Sequence, residues 1–289
     1  MKIRYALPAA ALTLLLIGCQ AEEPAGTASV PQELSAGQSP PPESSPEAST
    51  PPETLTPEQL LAQQPIDGTH DAFLVDTGGR LGTLLVTAEM GERGPNPDPE
   101  WELWENPVYF SVWNPEDMGV PMQTMDAVVD GLMFGKHETV DANFDGHMDF
   151  SYLHIMGNGA GYWYLWVWDE EAGQFVGVPE YREISFPRCD PETGIIDGWA
   201  RNSGAGDGTT TFHRWENGEL VCVRRIKTWW EPDEGILTEE EITVFPMHLT
   251  VEDRIGGELV QVYSEVLAPD VDYLEESARW RDLDYHGQA

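Results

Sequence analysis

The run Asp141-Ala142-Asn143-Phe144-Asp145-Gly146-His147-Met148-Asp149 carries oxygen donors at alternate positions. Counting Asp141 as position 1, Asn143 falls at position 3 and Asp145 at position 5. Gly146 stands at position 6, where such a loop must turn sharply. His147 at position 7 offers its backbone carbonyl rather than its ring, and Asp149 follows at position 9. In a tightly coiled loop these positions point hard oxygen donors at one centre, the arrangement that holds calcium. The predicted ligands are therefore Asp141, Asn143, Asp145, His147 and Asp149, with calcium as the cofactor. Position 12 is Tyr152, not the bidentate Glu of the full template, so a further ligand must come from elsewhere or from water. The plainer alternative is a polar turn at the start of a strand. On either reading the apolar residues after Asp149 form that strand.

No other stretch has a spacing that implies chemistry. The chain has no G-x-S-x-G, no H-E-x-x-H and no G-x-x-x-x-G-K-[ST]. Gly157-Asn158-Gly159-Ala160-Gly161 lacks the Lys of a phosphate cradle and reads as a bulged turn. His137, His147 and His154 lie near the acidic loop, but calcium prefers oxygen, so they read as surface or packing residues. Paired carboxylates can hydrolyse glycosides, yet among 51 acidic residues a pair carries no information. The expectation is a protein that is not an enzyme.

The elements that must position the loop follow from the rest of the chain. Residues 1–18 read as a lipoprotein signal peptide: Lys2 and Arg4, an apolar run from Ala6 to Ile17, then Gly18 and Cys19. The run is shorter than the roughly 20 residues a spanning helix needs. Leu16-Ile17-Gly18-Cys19 resembles the bacterial lipobox, which implies cleavage before Cys19 and its lipidation, by palmitate among other chains. Several acyl chains hold a protein stably on a bilayer. Residues 19–65 are rich in Pro, Ser, Glu and Thr, and read as a disordered tether. Within it, Thr56-Pro57-Glu58-Gln59 is a capping signal for one short helix. Residues 66–289 are long enough for one domain with a substantial core.

That domain reads as all-β. Trp, Tyr, Phe, Val and Thr recur in short runs separated by Gly, Asn, Asp and Pro. "YWYLWVWDEEAGQFVGV" and "TTTFHRWENGELVCVRRIKTWW" are hairpins of one pattern, the second turning at Asn217-Gly218. Repeats of about 40 residues suggest a propeller of about five blades; a β-sandwich explains the alternation as well. With Cys19 lipidated, Cys189 and Cys222 remain as an even pair in an exported domain. They flank two candidate strands, and a Cys189–Cys222 disulfide is expected. Two unpaired thiols are the alternative. The balance of 15 Lys+Arg against 51 Asp+Glu gives a formal charge of −36. Such a field repels nucleic acid and favours cations and basic proteins.

The run "VDANFDGHMDFSYLHIMGNGAGYWYLWVWDEEAGQFV" resembles a family of exported, often lipid-anchored bacterial proteins with one calcium loop. Its pattern is the acidic loop, a strand, a Gly/Asn turn, an aromatic strand and then "WD…GxF"; "FHRWENGELV" and "RRIKTWW" fit its next hairpins. One branch comprises periplasmic immunity proteins that block lysozyme-like toxins delivered by bacterial-killing type IV secretion systems. That branch is a five-bladed, calcium-bound β-propeller. The loop also resembles the FG-GAP calcium loops of integrin-type propellers. The likeness spans roughly residues 137–230 and carries the calcium role to the five residues above. It places no toxin-inhibiting residue here.

The resulting expectation is a lipid-anchored protein with a calcium-stabilised binding domain. It would sit outside the cytoplasm, on the plasma membrane or on the outer membrane of a diderm host. The expected partner is a basic protein such as a lysozyme-like enzyme. The alternatives are a cell-wall-associated enzyme and a glycan-binding surface module, the latter favoured if Trp229 and Trp230 form a flat platform.

Overall fold

The computed structural model describes residues 55–93, 105–202, 207–230, 247–268 and 271–287. The signal peptide, Cys19 and most of the tether lie outside them. The described chain begins with helix α1 (Pro57–Leu61). The capping signal works as its residues require. Gln59 N–H donates to Thr56 Oγ1 at 3.3 Å, and Thr56 N–H donates to Gln59 Oε1 at 2.8 Å. Leu60 packs against Ala72 and Leu85. Residues 57–61, which the sequence placed in the tether, thus belong to the folded unit, because one buried leucine docks them.

Among the described residues, fourteen strands in three antiparallel sheets build the rest. The first sheet is a meander of β1 (His70–Asp76), β2 (Thr83–Met90), β3 (Glu105–Trp113) and β4 (Gln123–Asp130). The second is a meander of β5 (His137–Val140), β6 (Asp149–Gly157), β7 (Ala160–Asp169) and β8 (Gln174–Gly177). The third has six strands in consecutive order: β9 (Arg188–Asp190), β10 (Ile195–Arg201), β11 (Gly208–Glu216), β12 (Glu219–Trp230), β13 (Met247–Ile255) and β14 (Glu258–Leu267). Helix α2 (Tyr273–Arg279) follows. The all-β expectation holds. Among the described residues the unit is a meander of four or six strands, so three sheets account for the strands where hairpin counting suggested about five units.

Packing explains the sequence pattern of each sheet. Side chains alternate across a strand, and the first sheet turns Phe73, Val75, Leu84, Val86, Val108, Phe110 and Val129 to one face. That face packs on Phe150, Tyr152, Trp166, Trp168 and Phe175 of the second sheet. The Phe150 and Trp166 rings stack at 4.9 Å. The other face of the second sheet buries Leu165 with Ile184, Ile196 and Leu220. The second sheet is therefore covered on both sides. A doubly covered strand reads as a continuous buried run rather than an alternation. This is why Asp149 through Leu153 are all buried, and why β7 carries five aromatic side chains among its ten residues. On the third sheet, Phe212, Ile226, Leu249 and Val251 lie beneath Trp280, which follows α2.

Register corrects the disulfide. Cys189 is opposite Ile196, Ile196 opposite His213, and His213 opposite Cys222. The four residues form one row across β9, β10, β11 and β12. Neighbouring strands lie about 4.8 Å apart, so three spacings separate the cysteines by about 14 Å. A disulfide needs Cα atoms within about 7 Å. Cys189 and Cys222 are accordingly free. The two intervening strands that made the pair look convenient in the sequence are what hold it apart. Burial pushes the Cys189 thiol up to about 11 and raises that of Cys222 as well.

Candidate functional site

The acidic loop connects β5 to β6, whose ends pair Val140 with Asp149. Three of the five predicted ligands converge. Asp145 N–H is shared by Asp141 Oδ1 at 3.1 Å and Asn143 Oδ1 at 3.2 Å. Gly146 N–H donates to Asp141 Oδ2 at 3.0 Å. Asn143 Nδ2 donates to Asp145 Oδ2 at 2.8 Å. Gly146 adopts φ of +89°, and Phe144 is also left-handed at +60°. The first is a conformation glycine takes at little cost, which is the structural content of position 6.

Asp149 does something else. It is fully buried. Ala142 N–H donates to its Oδ2 and Trp168 N–H to its Oδ1, each at 2.8 Å. Asp149 thus pins the start of the loop to β7. Burial pushes its carboxyl up to about 7, against the downward pull of those two donors; Asp145 and Asp141 add to the rise. Tyr152, at the template's last position, is also buried and accepts Gly135 N–H at 2.6 Å. It faces away from the loop.

His147 reaches out of its own sheet. Its ring Nδ1 meets the Thr77 carbonyl in the β1–β2 turn. Because a carbonyl only accepts, Nδ1 carries the proton. That bond is the main cause raising the His147 pKa, with Asp145, Glu170 and Asp141 adding to it. Met148 N–H donates to the Asp76 carbonyl at 3.3 Å. A second bridge runs alongside: Arg80 N–H donates to Glu170 Oε1 at 3.1 Å, and Trp168 Nε1 to Glu170 Oε2 at 2.8 Å. The loop therefore lies where two sheets meet. Thr77, Arg80 and Glu170 were not legible as part of it. Gly78 and Gly79, both left-handed, lie in the β1–β2 turn.

The donor set suits a hard cation in part. Asp141, Asn143 and Asp145 supply oxygen only and already turn toward one another, and the His147 carbonyl lies on the same short loop. Asp141 accepts N–H groups of the loop itself, whereas Asp149 is fully buried and one of its oxygens is held by Trp168 N–H of β7. Among the described residues, no group of three or more His, Cys, Asp or Glu is arranged to hold a metal ion. Other sequence candidates resolve simply. Gly157 through Ala160 close the β6–β7 hairpin, with Gly157 opposite Ala160. Trp229 stacks on His248 at 5.0 Å, whereas Trp230 packs into the third sheet's core. Consecutive strand residues point to opposite faces, so these two do not form one platform.

No family model matches the chain, and no curated protein matches it. Among solved structures, that of a Xanthomonas type IV secretion system related protein is similar over 66% of this chain and 93% of that one. The two are 13% identical, with a TM-score of 0.41.

Proposed function

We propose that this chain is a lipoprotein displayed outside the cytoplasm, anchored through Cys19. Its all-β domain is a binding module, not an enzyme, and calcium at Asp141, Asn143, Asp145 and the His147 carbonyl clasps its first two sheets together. The observation that carries this reading is the position of the loop. Its own side chains converge on one backbone N–H, and its last two residues bond to the Asp76 and Thr77 carbonyls of the other sheet. An ion bound only by the native state stabilises it by about 2.7 kcal/mol at a concentration 100-fold above Kd. Extracellular sites of this class bind at about 10⁻⁴–10⁻³ M, which suits an exported protein.

The partner that best fits a formal charge of −36 is a basic protein. A lysozyme-like enzyme is the proposed one, with the chain as its inhibitor or immunity protein. Two measurements test the two halves. Millimolar calcium should raise the melting temperature, and Asp145→Ala should abolish the rise; an unchanged melting curve rejects the metal. The purified protein should slow peptidoglycan hydrolysis by basic lysozymes; undiminished hydrolysis across several lysozyme types rejects the partner.

A further inference from the structure

The outer face of the first sheet is only half covered. Leu85 and Trp113 are roofed by α1 and Met118. Beyond them, register sets out two rows: Ala72, which α1 covers, with Thr87, Ser111 and Thr124, then His70, Glu89, Tyr109 and Asp126. A cavity of about 430 Å³ elsewhere, beside Arg224, is lined by opposed charges. The cavity of about 350 Å³ on this face differs in kind: Gln64 and Pro65 border it, and Thr87, Glu89, Tyr109, Ser111 and Trp113 line it.

Tyr109 is 55% exposed. One edge of its ring lies beside Gly91, on which a Cβ would meet Cε2 at 2.8 Å and Pro107 Cγ at 2.9 Å. Trp113 Nε1 donates to Thr87 Oγ1 at 3.0 Å. Gln64 Nε2 donates to the Leu60 carbonyl at 3.2 Å, and its amide oxygen makes no hydrogen bond among the described residues. The Glu89 carboxylate, Tyr109 hydroxyl and Ser111 hydroxyl make no hydrogen bond among the described residues. An exposed ring with unspent acceptors and hydroxyls around it suits a ligand that has both an apolar face and hydroxyl edges. Neither Lys nor Arg lines the cavity; Glu89, Asp71 and His70 do, and two acids against one imidazole disfavour phosphate and carboxylate ligands.

We infer that this groove is a binding subsite for a neutral oligosaccharide, with Tyr109 as the stacking platform and Glu89, Ser111 and Gln64 as hydroxyl partners. The volume lies within the range of small-ligand sites, and aromatic rings contribute contact area at low entropic cost.

The test is calorimetric titration of the full chain with chitotetraose and with cellotetraose. At least one should bind with Kd of about 1 mM or tighter. Tyr109→Ala should weaken it at least tenfold, whereas Tyr109→Phe, which keeps the ring, should stay within about threefold of the parent; these folds follow from losing or keeping a stacked aromatic contact. Calcium binding is read from the melting curve and sugar binding from the heat of titration, so a failure of the calcium reading and a failure of this one are told apart. The inference is overturned if neither sugar binds, if Tyr109→Ala binds as well as the parent, or if an oligolysine peptide displaces the sugar from Glu89 and is the tighter ligand.

Discussion

Asp253→Ala should be among the most damaging single changes in the third sheet. Arg224 and Asp253 face each other across β12 and β13, and the Arg224 side chain is 2% exposed. Its Nε and Nη2 donate to the two Asp253 oxygens at 2.6 and 2.8 Å. Its Nη1 donates to the Trp280 and Asp282 carbonyls at 3.0 and 2.7 Å. Removing the carboxylate leaves a largely buried guanidinium without its counter-charge. Breaking a buried pair in this way costs about 3–5 kcal/mol. At about 2–4 °C per kcal/mol for a domain of this size, melting should fall by about 10 °C.

The adjacent register pair is the internal control. Arg225 and Glu252 also face each other, but on the opposite face, with side chains 33% and 21% exposed. Solvent screens that pair, so Glu252→Ala should cost about 1 kcal/mol or less. Added salt should shrink the second loss and leave the first almost intact. The assay is urea unfolding followed by tryptophan fluorescence, at low and high salt. Combining Arg224→Met with Asp253→Leu should recover most of the loss, since a packed apolar pair tolerates burial. Equal costs for the two single changes, or a loss below about 1 kcal/mol for Asp253→Ala, would refute the reasoning from burial.

Two further outcomes follow from the same sheet. His213 is 4% exposed, its Nδ1 makes no hydrogen bond, and burial holds its pKa down to about 4. The unfolded chain, with a His pKa of about 6.5, takes up the proton first as pH falls. Stability is thus full above about pH 6.5 and declines toward pH 4, by about 3 kcal/mol in total from this residue. His213→Phe should lose less stability than the parent between pH 7 and 4.5; parallel pH profiles would show that the ring is not held neutral. The separation of Cys189 from Cys222 predicts that dithiothreitol leaves the melting temperature unchanged, and that both thiols react with a thiol reagent in denaturant without prior reduction. A reductant-dependent drop in melting temperature would contradict the register.

Local features were legible because a few neighbouring residues decide them. The Thr56–Gln59 capping box needs only its own four residues and the proline after the cap. Asn217 and Gly218 turn at φ of 53° and 84°, as a two-residue hairpin demands. Gly146 takes the positive φ that position 6 of the acidic loop requires, and β6 covers the strand expected after Asp149, starting at Asp149 itself. Alternation and aromatic content determined the all-β class and most hairpins in the same way.

Tertiary structure decided what those pieces face. A strand's sequence does not state which strand lies beside it, so the row Cys189, Ile196, His213, Cys222 emerged only from the register. Periodicity likewise does not distinguish a carboxylate aimed at an ion from one swallowed by a sheet covered on both sides. Asp149 became a buried pin because Trp168, nineteen residues on, presents its N–H there. Backbone preference acts over a few residues and is written in them. Which face is covered, and by what, depends on contacts between residues distant in the chain, such as His147 with Thr77, and only the folded molecule sets them.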